Sequence, residues 1–291
     1  MVRRVAAPPE RKPLEGCHSS VVFSDDRQWA EQLGAFVRDG LESGEQVKYL
    51  ADTTTPERVL RALADAGIDA AGAVARGQLS VSAAAWTHLT DADSRFDPDT
   101  MIGSWHDAAE GARASGYRGL RAIGEMSWGA RDSVGADRLL EYELRLHHEL
   151  FPRLPLTVRC FYDRRLLSDA YVSVLASAHL THLGEPHPAP ALRVAPLEDR
   201  PGLLLSGSAG YDTRDAVAAA AAVVSGVAAP RVELDLSSLR HLDAASLAVL
   251  ADAAAVRPGG TPLVVRKAPS PLRRLLQLFP ELDSVVEVVD R

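Results

Sequence analysis

Residues 16–67 read GCHSSVVFSDDRQWAEQLGAFVRDGLESGEQVKYLADTTTPERVLRALADAG, and their rhythm decides the fold. The short apolar run Ser20-Val21-Val22-Phe23 is strand-like. It gives way to Gln28–Glu42, where Trp29, Leu33, Phe36, Val37 and Leu41 recur at helical spacing on one face. A second strand follows at Gln46–Ala51. Thr55 and Pro56 then supply a cap and a first-turn proline for a helix that Gly67 ends. Strands alternating with helices in this way imply βαβ units, a mostly parallel sheet and right-handed crossovers.

The alternation continues with a strand at Leu79–Ser82, a helix from Asp97 to about Ser115 and a strand at Leu120–Met126. A long helix over 134–150 and a strand at Leu156–Asp163 complete it. Ligands of such sheets bind beyond the carboxyl ends of strands, where Asp25, Glu125 and Asp163 fall. Residues 183–199 hold Pro186, Pro188, Pro190 and Pro196 with little periodicity, and are expected to form a semi-rigid linker with few buried contacts. Beyond it, residues 200–291 read as a second, smaller α/β unit with strands at 202–206, 231–236, 262–266 and 285–289. Helices at about 213–227, 244–256 and 271–279 separate those strands. Residues 1–15 mix Pro, Arg and Glu without period and are expected to be a flexible tail.

Two domains suit 291 residues, and 46% hydrophobic with 24% charged residues is ordinary globular composition. The net charge of −7 disfavours a duplex-binding surface. Arg3-Arg4, Arg164-Arg165 and Arg273-Arg274 are too short to outweigh it and read as solvated faces. No stretch approaches the ~18 apolar residues of a membrane span, and the first sixteen residues lack the apolar core of a signal peptide. Cys17 and Cys160 form no CxxC pattern, so a reducing cytoplasm is the expected compartment.

Several spaced stretches of the first unit resemble the MEDS family of bacterial sensory domains. They are Cys17–Phe23, Phe96–Asp99, Gly116–Arg121, Gly124–Trp128, Leu140–Glu143 and Cys160–Arg165. The stretch VELDLSSLRHLD at 232–243, a strand leading to an acid before a helix, resembles the STAS domains of anti-sigma factor antagonists. The first resemblance covers residues 16–182 and implies a RecA/KaiC-like sheet with flanking helices. The second covers 200–291 and implies a STAS-like α/β domain.

Neither resemblance carries over intact. A RecA-type ATPase needs a glycine-rich loop and a Lys-Ser/Thr pair after its first strand to hold phosphates. Here Phe23-Ser24-Asp25-Asp26-Arg27-Gln28 stands there, and no GxxxxGK[ST] occurs in the chain. Two carboxylates would repel a triphosphate, so the chain is expected not to be an enzyme and catalysis by Glu125 is disfavoured. STAS antagonists usually carry Asp-Ser-Ser/Thr-Gly after the long strand, with a serine that accepts phosphate. This chain has Asp243-Ala244-Ala245-Ser246-Leu247, which removes that nucleophile, and Gly207-Ser208-Ala209-Gly210 replaces the family's Gly-Glu-x-Asp.

The resemblances together imply a cytoplasmic bacterial regulator of transcription or stress response. Its first domain would sense a small molecule through His18, Asp25, Glu125, Trp128, Tyr142, Cys160, Tyr162 and Asp163. Its second would dock on an anti-sigma factor or related serine kinase through Asp243, Ser246, Leu247 and Leu250. A degenerate nucleotide-binding protein or weak ATPase, and a scaffold for two partners, are the alternatives. Trp86 is a further candidate pocket wall beside Trp128, while His147-His148 is expected in solvent. His18, Cys17, Cys160 and His179 are metal- or haem-competent side chains, but their scattered spacing leads to an expectation of no metal and no cofactor. No nucleic acid or membrane is expected as a partner, and a homodimer stays open.

Overall fold

The computed structural model describes residues 17–83, 96–131, 135–280 and 284–290. The expected tail and Trp86 lie outside them. The first unit runs β1 (Cys17–Phe23), α1 (Asp26–Glu42), β2 (Gln46–Ala51), α2 (Pro56–Asp65), α3 (Ala70–Ala75) and β3 (Leu79–Ala83). It continues α4 (Pro98–Ala114), β4 (Leu120–Glu125), α5 (Leu139–Glu149), β5 (Leu156–Asp163), α6 (Asp169–Ala176) and β6 (Thr181–Gly184). The six strands lie in the order β3-β2-β4-β5-β1-β6, every neighbouring pair parallel. Side-chain oxygens of Asp25, Thr55, Asp97 and Ser168 cap α1, α2, α4 and α6 by accepting backbone N–H groups.

Alternation along the strands divides the core in two. Val21, Phe23, Val47, Tyr49, Ile123 and Phe161 pack under α1, α2 and α3. Val22, Leu120, Ala122, Val158, Cys160 and Tyr162 point the other way, toward α4, α5 and α6. The helix expected over 134–150 begins only at Leu139. Gly135 has φ 86, and a Cβ there would meet the Phe96 carbonyl, so the chain bends before the helix starts.

The second unit runs β7 (Leu192–Pro196), β8 (Gly202–Ala209), α7 (Arg214–Gly226), β9 (Val232–Leu242), α8 (Ala244–Ala255), β10 (Leu263–Arg266), α9 (Ser270–Leu278) and β11 (Val286–Val289). Its sheet order is β11-β10-β9-β8-β7, parallel except for the β7–β8 edge.

The stretch expected as a semi-rigid linker includes strand residues: the end of β6 and all of β7. β6 reaches Gly184 on the edge of the first sheet, and β7 pairs with β8 on the edge of the second. Residues 184–191, around Pro186, Pro188 and Pro190, are exposed or half-buried, whereas β7 is mostly buried; the two units meet instead through α7. Ala216, Val217, Ala219, Ala220, Ala221, Val223 and Val224 are buried on more than one side of that helix. A helix apolar around most of its circumference must be covered around most of it. α7 meets its own strands β7 and β8 together with α5 of the first unit, so the core runs continuously from one unit into the other. His147 and His148, expected in solvent, are half-buried at this contact beside Leu197–Pro201.

Candidate functional site

The rim at the carboxyl ends of the strands, where three acids were expected to bind a ligand, is already occupied by the chain's own groups. Glu125 ends β4 and is buried. Its Oε1 accepts from the Tyr49 hydroxyl at 2.5 Å, and Oε2 accepts from the backbone N–H groups of Asp52, Thr53 and Thr54 at 2.7, 2.8 and 3.1 Å. Trp29 Nε1 donates to the same Tyr49 oxygen at 2.9 Å. Burial and the adjacent Glu125 push the Tyr49 hydroxyl well above its ordinary range, so it stays a donor. Glu125 therefore clamps the loop after β2.

The other two rim acids are also engaged. Asp25 accepts the Gln28 backbone N–H at 2.8 Å as the α1 cap, in the exposed turn after β1. Asp163 is gripped by Arg165, with Nε to Oδ1 at 2.9 Å and Nη2 to Oδ2 at 2.7 Å. Where a phosphate loop would lie, only Ser24 and Asp25 separate β1 from α1. Glu185 folds back over that turn, accepting from Ser24 Oγ at 2.5 Å, Gln28 Nε2 at 2.9 Å and Arg164 Nη1 at 3.2 Å. Asp26 is paired with Arg165 and Arg58 at 2.7 and 2.6 Å. A carboxylate from the expected linker thus takes the place an anion would occupy.

The expected aromatic site residues are core. Trp128 packs on Phe96 with ring centroids 4.8 Å apart, and the buried Tyr142 hydroxyl accepts from Trp105 Nε1 at 2.6 Å. Both serve the packing between α4, α5 and the sheet.

The remaining predicted residues, His18, Cys160 and Tyr162, do come together, on the face of the sheet under α5. They are joined by Glu143 of α5 and by His179 in the turn after α6. His18, Glu143, Cys160 and His179 are all buried, and one donor atom from each lies within 4.8 Å of the others. Tyr162 donates its hydroxyl to Glu143 Oε1 at 2.8 Å. His18 Nε2 lies 3.1 Å from Glu143 Oε2, and Cys160 Sγ lies 3.4 Å from both of those atoms. Burial drives both imidazoles down to about 3 and lifts the Glu143 carboxyl and the Cys160 thiol above their ordinary ranges. Cys17, one residue along β1, points out to solvent. The missed member is Glu143: on α5 it stands between Glu141 and Arg145, one charged residue among several, and only its place in the Leu140–Glu143 stretch marks it.

In the second unit Asp243 caps α8, accepting the Ser246 backbone N–H at 2.7 Å. Ser246, Leu247 and Leu250 are buried, which corrects their assignment to a partner surface: they hold α8 on its sheet. The exposed side of the same helix carries Ala244, Ala245, Ala248 and Val249. Tyr211, in the turn after β8, is 76% exposed, and Gly210 beside it approaches Asp243. Tyr211 was not singled out from the sequence, because an isolated tyrosine after a glycine reads as turn.

Between the units, α5, α6, the 188–192 stretch and the start of α7 enclose a mainly apolar cavity of about 550 Å³. The Tyr171 hydroxyl is buried at its wall and makes no hydrogen bond.

The described residues thus form a six-stranded parallel sheet without a phosphate loop after β1, joined through α5 and α7 to a five-stranded mixed sheet with a capped helix after its long strand. The chain belongs to the MEDS family: the model of the MEthanogen/methylotroph, DcmR Sensory domain matches residues 17–182. The model described as Mlab, STAS domain matches residues 193–286, which takes in β7 as well. No curated protein matches the chain. Among the described residues no helix is long and apolar enough to cross a membrane.

Proposed function

We propose that the chain is a non-catalytic cytoplasmic signalling regulator whose MEDS domain receives the signal and whose STAS domain binds an anti-sigma factor or related serine kinase. The observation that carries this reading is α7, shared between the two units. Any change in α5 or α6 of the MEDS domain meets α7 and β7 of the STAS domain directly, and Ser177 Oγ, 2.6 Å from the Val174 carbonyl, also lies 3.1 Å from the Val194 carbonyl. A small apolar molecule in the cavity beside Tyr171 would touch both domains and shift their packing.

The docking face in this reading is the apolar patch of Tyr211, Ala244, Ala245 and Val249, with tyrosine as the anchor typical of interface hot spots. Within 243–249 the one hydroxyl, Ser246, is buried, which supports control without phosphorylation on this face. The test is calorimetric titration of the full chain with purified anti-sigma serine kinases, followed by intact mass after incubation with ATP. Binding that weakens about tenfold in Tyr211→Ala and Val249→Asp, with unchanged mass, is expected. Stoichiometric phosphate on Ser246, or binding insensitive to both variants, would overturn the reading.

A further inference from the structure

We propose that His18, Glu143, Cys160 and His179 form a site for one divalent transition-metal ion of the zinc type, buried between β1, β5 and α5. This inference goes beyond the regulatory reading and does not depend on it.

The spacing of the donors is the first argument. An ion bonded tetrahedrally at about 2.1 Å holds its ligand atoms about 3.4 Å apart. Here the His18 Nε2 to Glu143 Oε2 distance is 3.1 Å, Cys160 Sγ lies 3.4 Å from each of those atoms, and His179 Nε2 lies 3.7 Å from Glu143 Oε2. Four donors from a strand, a second strand, a helix and a turn lie within 4.8 Å of one another, close enough to converge on such an ion.

The second argument is which lone pairs are free. His179 Nδ1 faces the Leu175 carbonyl at 3.2 Å, so it must carry the proton and donate. Its Nε2 then presents a lone pair into the cluster, is fully buried, and makes no hydrogen bond. The Tyr162 hydroxyl ties up Glu143 Oε1 and leaves Oε2 toward the other donors. A backbone carbonyl on the far side of an imidazole and a hydroxyl on the far oxygen of a carboxylate are the outer contacts that orient metal ligands.

Charge is the third argument. One thiolate and one carboxylate balance a doubly charged ion, and two neutral imidazoles add nothing, so the loaded site is neutral within an apolar core. On binding, the Cys160 proton passes to solvent. A set with sulfur and two imidazoles favours zinc-like ions over magnesium or calcium, which demand oxygen. Leu175 also lines the interdomain cavity, so His179 lies one hydrogen bond away from the contact with the STAS domain.

The experiment uses the full chain, stripped with chelator and titrated with Co²⁺ and then Zn²⁺. One cobalt per chain, with the visible bands of tetrahedral coordination and a near-ultraviolet thiolate-to-cobalt band that zinc abolishes, is expected. Cys160→Ser should lose the thiolate band and Cys17→Ser should keep it. His179→Gln should weaken uptake at least about tenfold. Circular dichroism checks that each variant folds; should the buried variants fail to fold, the wild-type spectrum with Cys17→Ser still decides. Substoichiometric uptake, a cobalt spectrum without a thiolate band, or a band that survives in Cys160→Ser would overturn the site. Kinase binding that persists in stripped protein would leave the regulatory reading standing alone.

Discussion

Glu125 and Glu143 are both buried carboxylates of the same sheet-and-helix layer structure, yet their surroundings are opposite. Glu125 sits at a strand end, where α/β sheets place ligands, and both of its oxygens accept from donors of its own chain. Glu143 sits mid-helix, away from any strand end, and one of its oxygens faces two imidazoles and a thiol. The difference teaches that position in a fold suggests where chemistry belongs, while saturation of hydrogen bonds decides which polar group is still available for it.

The largest expected effect breaks the Glu125 side of this comparison. Glu125→Ala orphans the Tyr49 hydroxyl and three backbone N–H groups, and should cost about 3–5 kcal/mol in urea unfolding. A loss under about 1 kcal/mol would show that the loop after β2 is not held by this clamp. The next effect sharpens the Glu143 side. Zinc at about a hundred times its dissociation constant should stabilise the wild-type chain by about 2.7 kcal/mol and leave Glu143→Gln unmoved. Equal stabilisation of both, read as thermal shifts, would place the ion elsewhere.

Smaller effects probe the join between the domains. Ser177→Ala removes the hydroxyl that lies between the Val174 and Val194 carbonyls and should cost about 1 kcal/mol while leaving metal uptake intact. Two separate unfolding transitions in the wild-type chain would contradict the continuous core between α5 and α7, because a shared core should melt cooperatively. The smallest effect is Cys17→Ser: an exposed thiol at the start of β1 should contribute within about 0.5 kcal/mol, in contrast to Cys160 two strand positions from His18.

Much of the architecture was legible because it follows from local periodicity. The Trp29–Leu41 stripe, the Thr55-Pro56 start and the strand runs at 46–51 and 156–163 each state their own secondary structure. The missing phosphate loop was equally plain, since an absent glycine and lysine need no fold to be noticed. Less legible were α3, β6 and β7, which contain or adjoin Gly72, Gly184 and Pro190 and so read as loop, and α6, a single short helix.

The sequence by itself therefore determined the two α/β units, their order and the residue types available, because burial of apolar faces at 2.0- and 3.6-residue spacing leaves few other folds. Only the tertiary structure decided which of those residues meet. His18 and His179 are 161 positions apart, yet β1 and the turn after α6 bring their rings to 3.9 Å. Glu125, adjacent to Tyr49 and the 52–54 backbone in space alone, turned out to be satisfied. α7, which reads as a plain alanine-rich helix, became the wall between two domains, because small side chains let a second helix approach it. These outcomes depend on long-range packing, which local patterns do not encode.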